Sequence, residues 1–184
     1  SLLVSHVDHS QIEIVTITTS GDKIQDRSLA DVGGKGLFVK ELEEALLQNK
    51  IDFALHSAKD VPPILHDETE IAAFSARLDA SDYFVSSKFS SINDLPKGAI
   101  VGTSSARRKA ILLKLRPDLQ IVGFRGNVDT RLAKISNCEV DASILAVCGL
   151  KRLGKEIIAD RIIDKKIMLP AGGQGALAFQ VHKN

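Results

Sequence analysis

Arg107 and Arg108 stand where a helix is about to begin, directly after the strand and turn Ala99-Ile100-Val101-Gly102-Thr103-Ser104-Ser105. A helix start already carries roughly +0.5 of a charge from aligned peptide dipoles and unpaired N–H groups, so cations there need an anion. A second strand-to-helix junction, Val122-Gly123-Phe124-Arg125-Gly126-Asn127-Val128-Asp129-Thr130-Arg131, repeats the arrangement, with Arg125 ahead of the helix and Arg131 one turn inside it. Two such junctions suggest a ligand bearing several carboxylates or phosphates, because planar guanidinium groups pair with either in a two-pronged geometry. Lys59-Asp60, at the end of another strand, reads either as a solvated ion pair worth ~0–1 kcal/mol or as a carboxylate for acid/base work.

Other polar features have simpler readings. Ser104 or Ser105 is read as the N-cap of the helix that follows. Gly33-Gly34-Lys35-Gly36 resembles a phosphate cradle but lacks the Walker spacing and the Lys-Ser/Thr ending, so a turn or hinge is the better reading. His6 and His9 are three apart without a third ligand, and His56, His66 and His182 are scattered, so no metal site is expected. Gly172, Gly173 and Gly175 permit a tight crossing between lobes, with a backbone site for ligand as the second use.

The elements that must position these groups follow from hydrophobic spacing. Gln11–Thr19 alternates β-branched and polar residues and predicts a strand. Phe38, Leu42, Ala45 and Leu46 recur at helical spacing from Gly36. Ile51–Ser57 predicts a strand stopped near Pro62-Pro63, and Ile71–Ser75 a further one. The pattern then runs strand Tyr83–Val85, strand Ile100–Gly102, helix from Ser105, strand Leu119–Phe124, helix from Asn127, strand Ala142–Ala146 and final strand Ala176–Val181. Strands alternating with helices predict an α/β fold with mainly parallel sheets and flanking helices, whose ligand crevice lies at the carboxyl ends of the strands. Two lobes are expected: residues 1–76 plus 176–184, and residues 81–169, joined by a crossing at 170–175 with a ligand cleft between them.

Composition bounds the function. The 184 residues are 44% hydrophobic and 26% charged, enough to bury a core. A formal net charge of only +1 argues against a general hold on nucleic acid, so the basic residues act by placement. Two unpaired-looking cysteines, Cys138 and Cys148, fit a reduced compartment and no disulfide framework. No apolar run approaches the ~20 residues needed to span a bilayer, so a cytoplasmic location is expected. The chain opens at Ser1 rather than methionine and is read as part of something longer.

Six stretches also resemble a known family: those beginning at Val32 (VGGKGLFVKEL), His56 (HSAKDVP), Val101 (VGTSSARR), Arg125 (RGNVDTRL), Ala146 (AVCGLKRLG) and Leu169 (LPAGGQGA). They are similar, in order and over nearly the whole chain, to porphobilinogen deaminases, also called hydroxymethylbilane synthases. The resemblance implies a periplasmic-binding-protein-like fold and the condensation of four porphobilinogen molecules into a linear tetrapyrrole for haem and related pigments, with release of ammonia. It implies a dipyrromethane primer held through a cysteine of a third domain that this chain lacks; neither Cys138 nor Cys148 is marked as a substitute.

Carried over by residue, the resemblance makes Asp60 the catalytic carboxylate, stabilising the cationic azafulvene left by loss of ammonia and shuttling its proton. It assigns Lys59, Ser57, Asp22, Thr103, Ser105, Arg107, Arg108, Arg125, Gly126 and Gln174 to the primer, and Arg131, Arg152 and Lys35 to substrate. Each pyrrole brings an acetate and a propionate, which is what the arginines answer. The implied protein is a monomer with no nucleic-acid or membrane partner. A non-catalytic two-lobed anion-binding protein is the alternative, since fold alone does not fix function. Gly172 replaces a branched apolar residue usual in the family, and Ser81 a basic one. A surface cation at a helix start contributes little to folding, so Arg107→Leu is predicted to impair function more than stability.

Overall fold

The computed structural model describes residues 8–20 and 39–183. The chain divides into two compact units, Ser1–Ala76 with Ala176–Asn184, and Arg77–Gly175.

In the first unit, helix α1 (Lys40–Leu47) buries Ala45 and Leu46, two of the residues whose spacing predicts it. Strands β1 (Ala54–Ser57), β2 (Thr69–Phe74) and β7 (Leu177–His182) form a sheet in the order β1-β7-β2. The terminal strand therefore inserts between the two earlier ones. It runs antiparallel to both, pairing His56 with Ala178 and Ile71 with Gln180. Here the structure departs from the parallel direction expected from sequence: a side-chain period of two is the same for either direction, and the path of the return chain decides. Gln11–Thr19 is also not a strand: a 3₁₀ turn covers His9–Gln11, residues 12–19 join no ladder, and Ile14 is 86% exposed. β-Branched alternation has no force without a partner to pair with.

The second unit is the alternating one. Strands β3 (Asp82–Val85), β4 (Ile100–Gly102), β5 (Gln120–Val122) and β6 (Ala142–Ala146) form a sheet in the order β3-β6-β4-β5. β4, β5 and β6 are parallel, and β3 closes the edge antiparallel to β6. Helix α2 (Ala106–Leu115) follows β4, α3 (Val128–Ser136) follows β5, and the short α4 (Val147–Arg152) follows β6.

Strand alternation builds a core on each face of this sheet. Phe84 and Ile144 point to one, packed with Val101, Leu112 of α2 and Met168. Their neighbours Tyr83 and Leu145 point to the other, packed with Leu150 of α4 and with Val128 and Leu132 of α3. Helices thus cover both faces, as buried parallel strands require. Gly102 belongs to this packing, because a Cβ there would lie 2.5 Å from the Phe124 ring.

Candidate functional site

At the carboxyl ends of β4, β5 and β6 the second unit gathers the chemistry read from its sequence. After β4, Thr103 Oγ1 accepts from Ser105 N–H at 3.2 Å, and Ser105 Oγ accepts from Arg108 N–H at 3.4 Å, which makes Ser105 the N-cap of α2. Ser104 instead ties two loops together, its hydroxyl accepting from Phe124 N–H at 2.9 Å and donating to Phe124 O at 3.2 Å. After β5, Asn127 Oδ1 caps α3 by accepting from Thr130 N–H at 2.8 Å. Arg131 turns back to donate Nε–H to Gly126 O at 2.8 Å, with Gly126 at φ 112°. Arg125 and Arg131 are half-buried, and Thr103 is buried. After β6, Arg152 at the end of α4 donates Nη2–H to Gly175 O at 2.9 Å.

The anion beside the twin arginines is part of the protein. Asp82 opens β3 opposite Ala146, at the carboxyl end of β6, and is 0% exposed. Arg107 Nη2 meets its Oδ2 at 2.7 Å and Arg108 Nη2 its Oδ1 at 2.7 Å, while Gln174 Nε2 donates to Oδ1 at 2.9 Å. Burial is the largest influence on the Asp82 carboxyl and raises its pKa, yet Arg108, Gln174 and Arg107 together outweigh it and hold the group below the usual carboxylate range. Gln174 also donates to Ala80 O at 2.7 Å, and Arg77 Nε donates to Gln174 O at 2.8 Å. Arg107 Nη1 donates to Leu169 O, and Arg108 Nη1 to Ile144 O at 2.8 Å.

Two arginines against one aspartate leave the cluster with a net charge of +1. The Nε atoms of both arginines are buried with no acceptor, so the cluster holds more donors than the protein satisfies. In the sequence Asp82 passes as one residue of a polar stretch. The signal that points to it is the first turn of α2, which carries two cations and no acid of its own.

In the first unit, β1 runs from Ala54 through Ser57 into a 3₁₀ turn, Ala58–Asp60, that presents Lys59 and Asp60 at the surface. Ala58 N–H donates to Ala176 O at 3.0 Å, anchoring the turn. Beneath β1 lies a buried polar chain that the sequence pattern does not reveal. Gln180 Nε2 donates to Glu43 Oε1 and to Thr69 Oγ1, both at 2.8 Å, so its Oε1 is left to accept from His56 Nε2–H at 2.9 Å. Burial, the largest influence, lowers the His56 pKa and outweighs the Gln180 contact and the nearby Glu43 and Asp60 charges. Asp22 and Lys35, also expected at the site, lie outside the described residues. Among the described residues no group of three His, Cys, Asp or Glu is placed to hold a metal.

Comparison with known proteins agrees with these motifs. Residues 1–184 match the family model "Porphobilinogen deaminase, dipyromethane cofactor binding domain". The porphobilinogen deaminase of Nitrobacter winogradskyi is 58% identical over 174 residues, covering 95% of this chain and 55% of that protein. That of Orientia tsutsugamushi is 56% identical over 172 residues, 93% of this chain and 58% of that protein. That of Rickettsia bellii is 50% identical over 180 residues, 97% of this chain and 60% of that protein. The chain therefore spans a little over half the length of these relatives. Among solved structures, a lipoprotein of Bacillus subtilis subsp. subtilis str. 168 shares the fold with a TM-score of 0.52 at 17% identity, over 79% of this chain and 69% of that one. A match that runs from the first residue to the last, through every stretch that builds the strand-end cluster, makes the chain a member of the porphobilinogen deaminase family.

Proposed function

We propose that this protein is a hydroxymethylbilane synthase, a transferase that joins four porphobilinogen molecules head to tail and releases ammonia at each addition. The observation that carries the reading is the set of arginines on the segments that follow three neighbouring strands: Arg107 after β4, with Arg108 buried beside it on Asp82, Arg125 and Arg131 after β5, and Arg152 at the end of the helix that follows β6. A substrate that adds an acetate and a propionate with each ring matches such a wall better than a single anion would.

The residues fit a dipyrromethane group. The exposed part of the Arg107 side chain and the residual positive charge of the cluster around Asp82 suit its carboxylates. The family resemblance assigns Thr103, Ser105, Arg125, Gly126 and Gln174 to this group, and likewise Ser57, Lys59 and Asp22; it assigns Arg131, Arg152 and Lys35 to the incoming substrate. When bound, the group supplies the pyrrole terminus that is extended. Asp60, presented by the turn after β1, holds the pyrrole N–H and offsets the positive charge that develops as the aminomethyl group loses ammonia. The same reading makes the protein a cytoplasmic monomer that binds no nucleic acid. No helix among the described residues is long and apolar enough to cross a membrane.

The test supplies porphobilinogen to the full-length protein and its Asp60→Asn form while following ammonia and tetrapyrrole. The wild type is expected to turn over, and the variant to lose on the order of 10²–10⁴ in rate. Equal rates would remove Asp60 from the chemistry. Saturable binding without ammonia release would instead favour the non-catalytic anion-binding alternative.

A further inference from the structure

We propose that Asp82 is a positioning residue for ligand binding: it fixes the orientation of the Arg107 guanidinium and limits the twin arginines to one net positive charge. The proposal rests on the functional reading above. Three observations carry it. Asp82 is fully buried at the amino end of β3, so it reaches no ligand itself, and its two carboxylate oxygens are divided between the two arginines at 2.7 Å each. Arg108 is held almost wholly inside, its side chain 8% exposed and its other terminal nitrogen on Ile144 O, whereas the Arg107 side chain is 24% exposed. Gln174 braces the carboxylate from a third side at 2.9 Å.

This geometry separates two roles that the sequence gives to identical neighbours. Arg108 anchors Asp82 to the sheet, and Asp82 with Leu169 O anchors Arg107 at two terminal nitrogens. A guanidinium has five N–H donors; with Nε buried, Arg107 keeps the second hydrogens of Nη1 and Nη2 for an outside acceptor. Without Asp82, two adjacent like charges would repel each other at the helix start and Arg107 would sample several rotamers. Both effects blur recognition of a single carboxylate.

The test is a double-mutant cycle in the full-length protein: Asp82→Asn, Arg107→Lys and the pair. Intact mass measures the fraction of chains carrying dipyrromethane, steady-state assays give KM for porphobilinogen, and circular dichroism checks the fold. Asp82→Asn is expected to lower primer retention or raise KM roughly 10- to 100-fold, and to add little once Arg107 is already lysine. Asp82→Glu keeps the charge but displaces the carboxylate by one methylene. It decides the matter should Asp82→Asn fail to fold, and is expected to show the same change in smaller degree. Folded Asp82→Asn or Asp82→Glu with wild-type retention and KM overturns the proposal, as does an additive cycle. A wild type that neither carries primer nor consumes porphobilinogen overturns the functional reading and this proposal with it.

Discussion

Arg108 and Asp82 form a buried ion pair, Nη2 to Oδ1 at 2.7 Å, that joins the first turn of α2 to the first residue of β3. The helix start that would be strained by two cations is half compensated from within the fold, by one carboxylate shared between them. The consequence for stability differs between the twin arginines.

Replacing Arg108 with leucine strands a fully buried carboxylate beside one remaining arginine and removes the tie to Ile144 O. Breaking such a pair costs about 3–5 kcal/mol, so Arg108→Leu is expected to lose most of its cooperative thermal transition. Arg107→Leu leaves Asp82 with Arg108 and Gln174, and a cost of about 1–3 kcal/mol follows. That is more than the small contribution expected of a surface cation at a helix start, because Arg107 is paired with a buried carboxylate. Melting temperatures of the two variants check the order; equal losses would contradict it.

Acidification should weaken the fold in two stages. His56 has its pKa held below the ordinary 6.5 by burial, so the unfolded chain takes up a proton that the folded one refuses, and stability falls as pH drops below about 6.5. Asp82 has its pKa held below the ordinary 3.8, so its contribution is complete above that pH and is lost as pH falls through the folded-state value. Denaturant midpoints measured from pH 8 to 3 should show both declines. His56→Gln should remove the upper one, and a flat wild-type profile between pH 6.5 and 4.5 would contradict the buried-histidine account.

Loss of a cap should be local and modest. Asn127→Ala deletes the acceptor for Thr130 N–H at the start of α3 and is expected to cost about 0.5–2 kcal/mol. The same helix carries Arg131, so a fall in carboxylate affinity should accompany the drop in melting temperature.

These caps are legible in the sequence because they are local: Ser105 and Asn127 each sit immediately before the helix they start, and the sequence places both helices within a residue of where they form. Strand positions are legible for the same reason, since β4 and β6 run over the residues their apolar patterns mark. Strand direction in the first sheet is not, because nothing within Leu177–His182 distinguishes a parallel from an antiparallel partner. Asp82 escapes notice for a related reason. Its partners lie 25 and 26 residues ahead, and a carboxylate in a polar stretch looks solvated until the sheet closes over it. Charge balance at the α2 start demands an anion, but it does not say whether the protein or a ligand supplies it.

Two glycines of the crossing loop should respond differently to added side chains. Gly175 sits at φ 99°, and a Cβ built there would lie 2.5 Å from Leu78 O, part of a backbone that is itself fixed by Leu78 N–H donating to Gly175 O at 3.1 Å. Neither the strain nor the clash can be relieved by rotating a side chain, so Gly175→Ala is expected to cost about 1–3 kcal/mol. It should also disturb Arg152, which donates to the Gly175 carbonyl at 2.9 Å. Gly172 has no atom within 4 Å of its would-be Cβ, so Gly172→Val should fall within about 0.5 kcal/mol of the wild type. Thermal unfolding of the two variants side by side checks the contrast. A Gly172→Val protein as weakened as Gly175→Ala would show that chain freedom along the whole loop, rather than the close approach at Gly175, is what the fold requires.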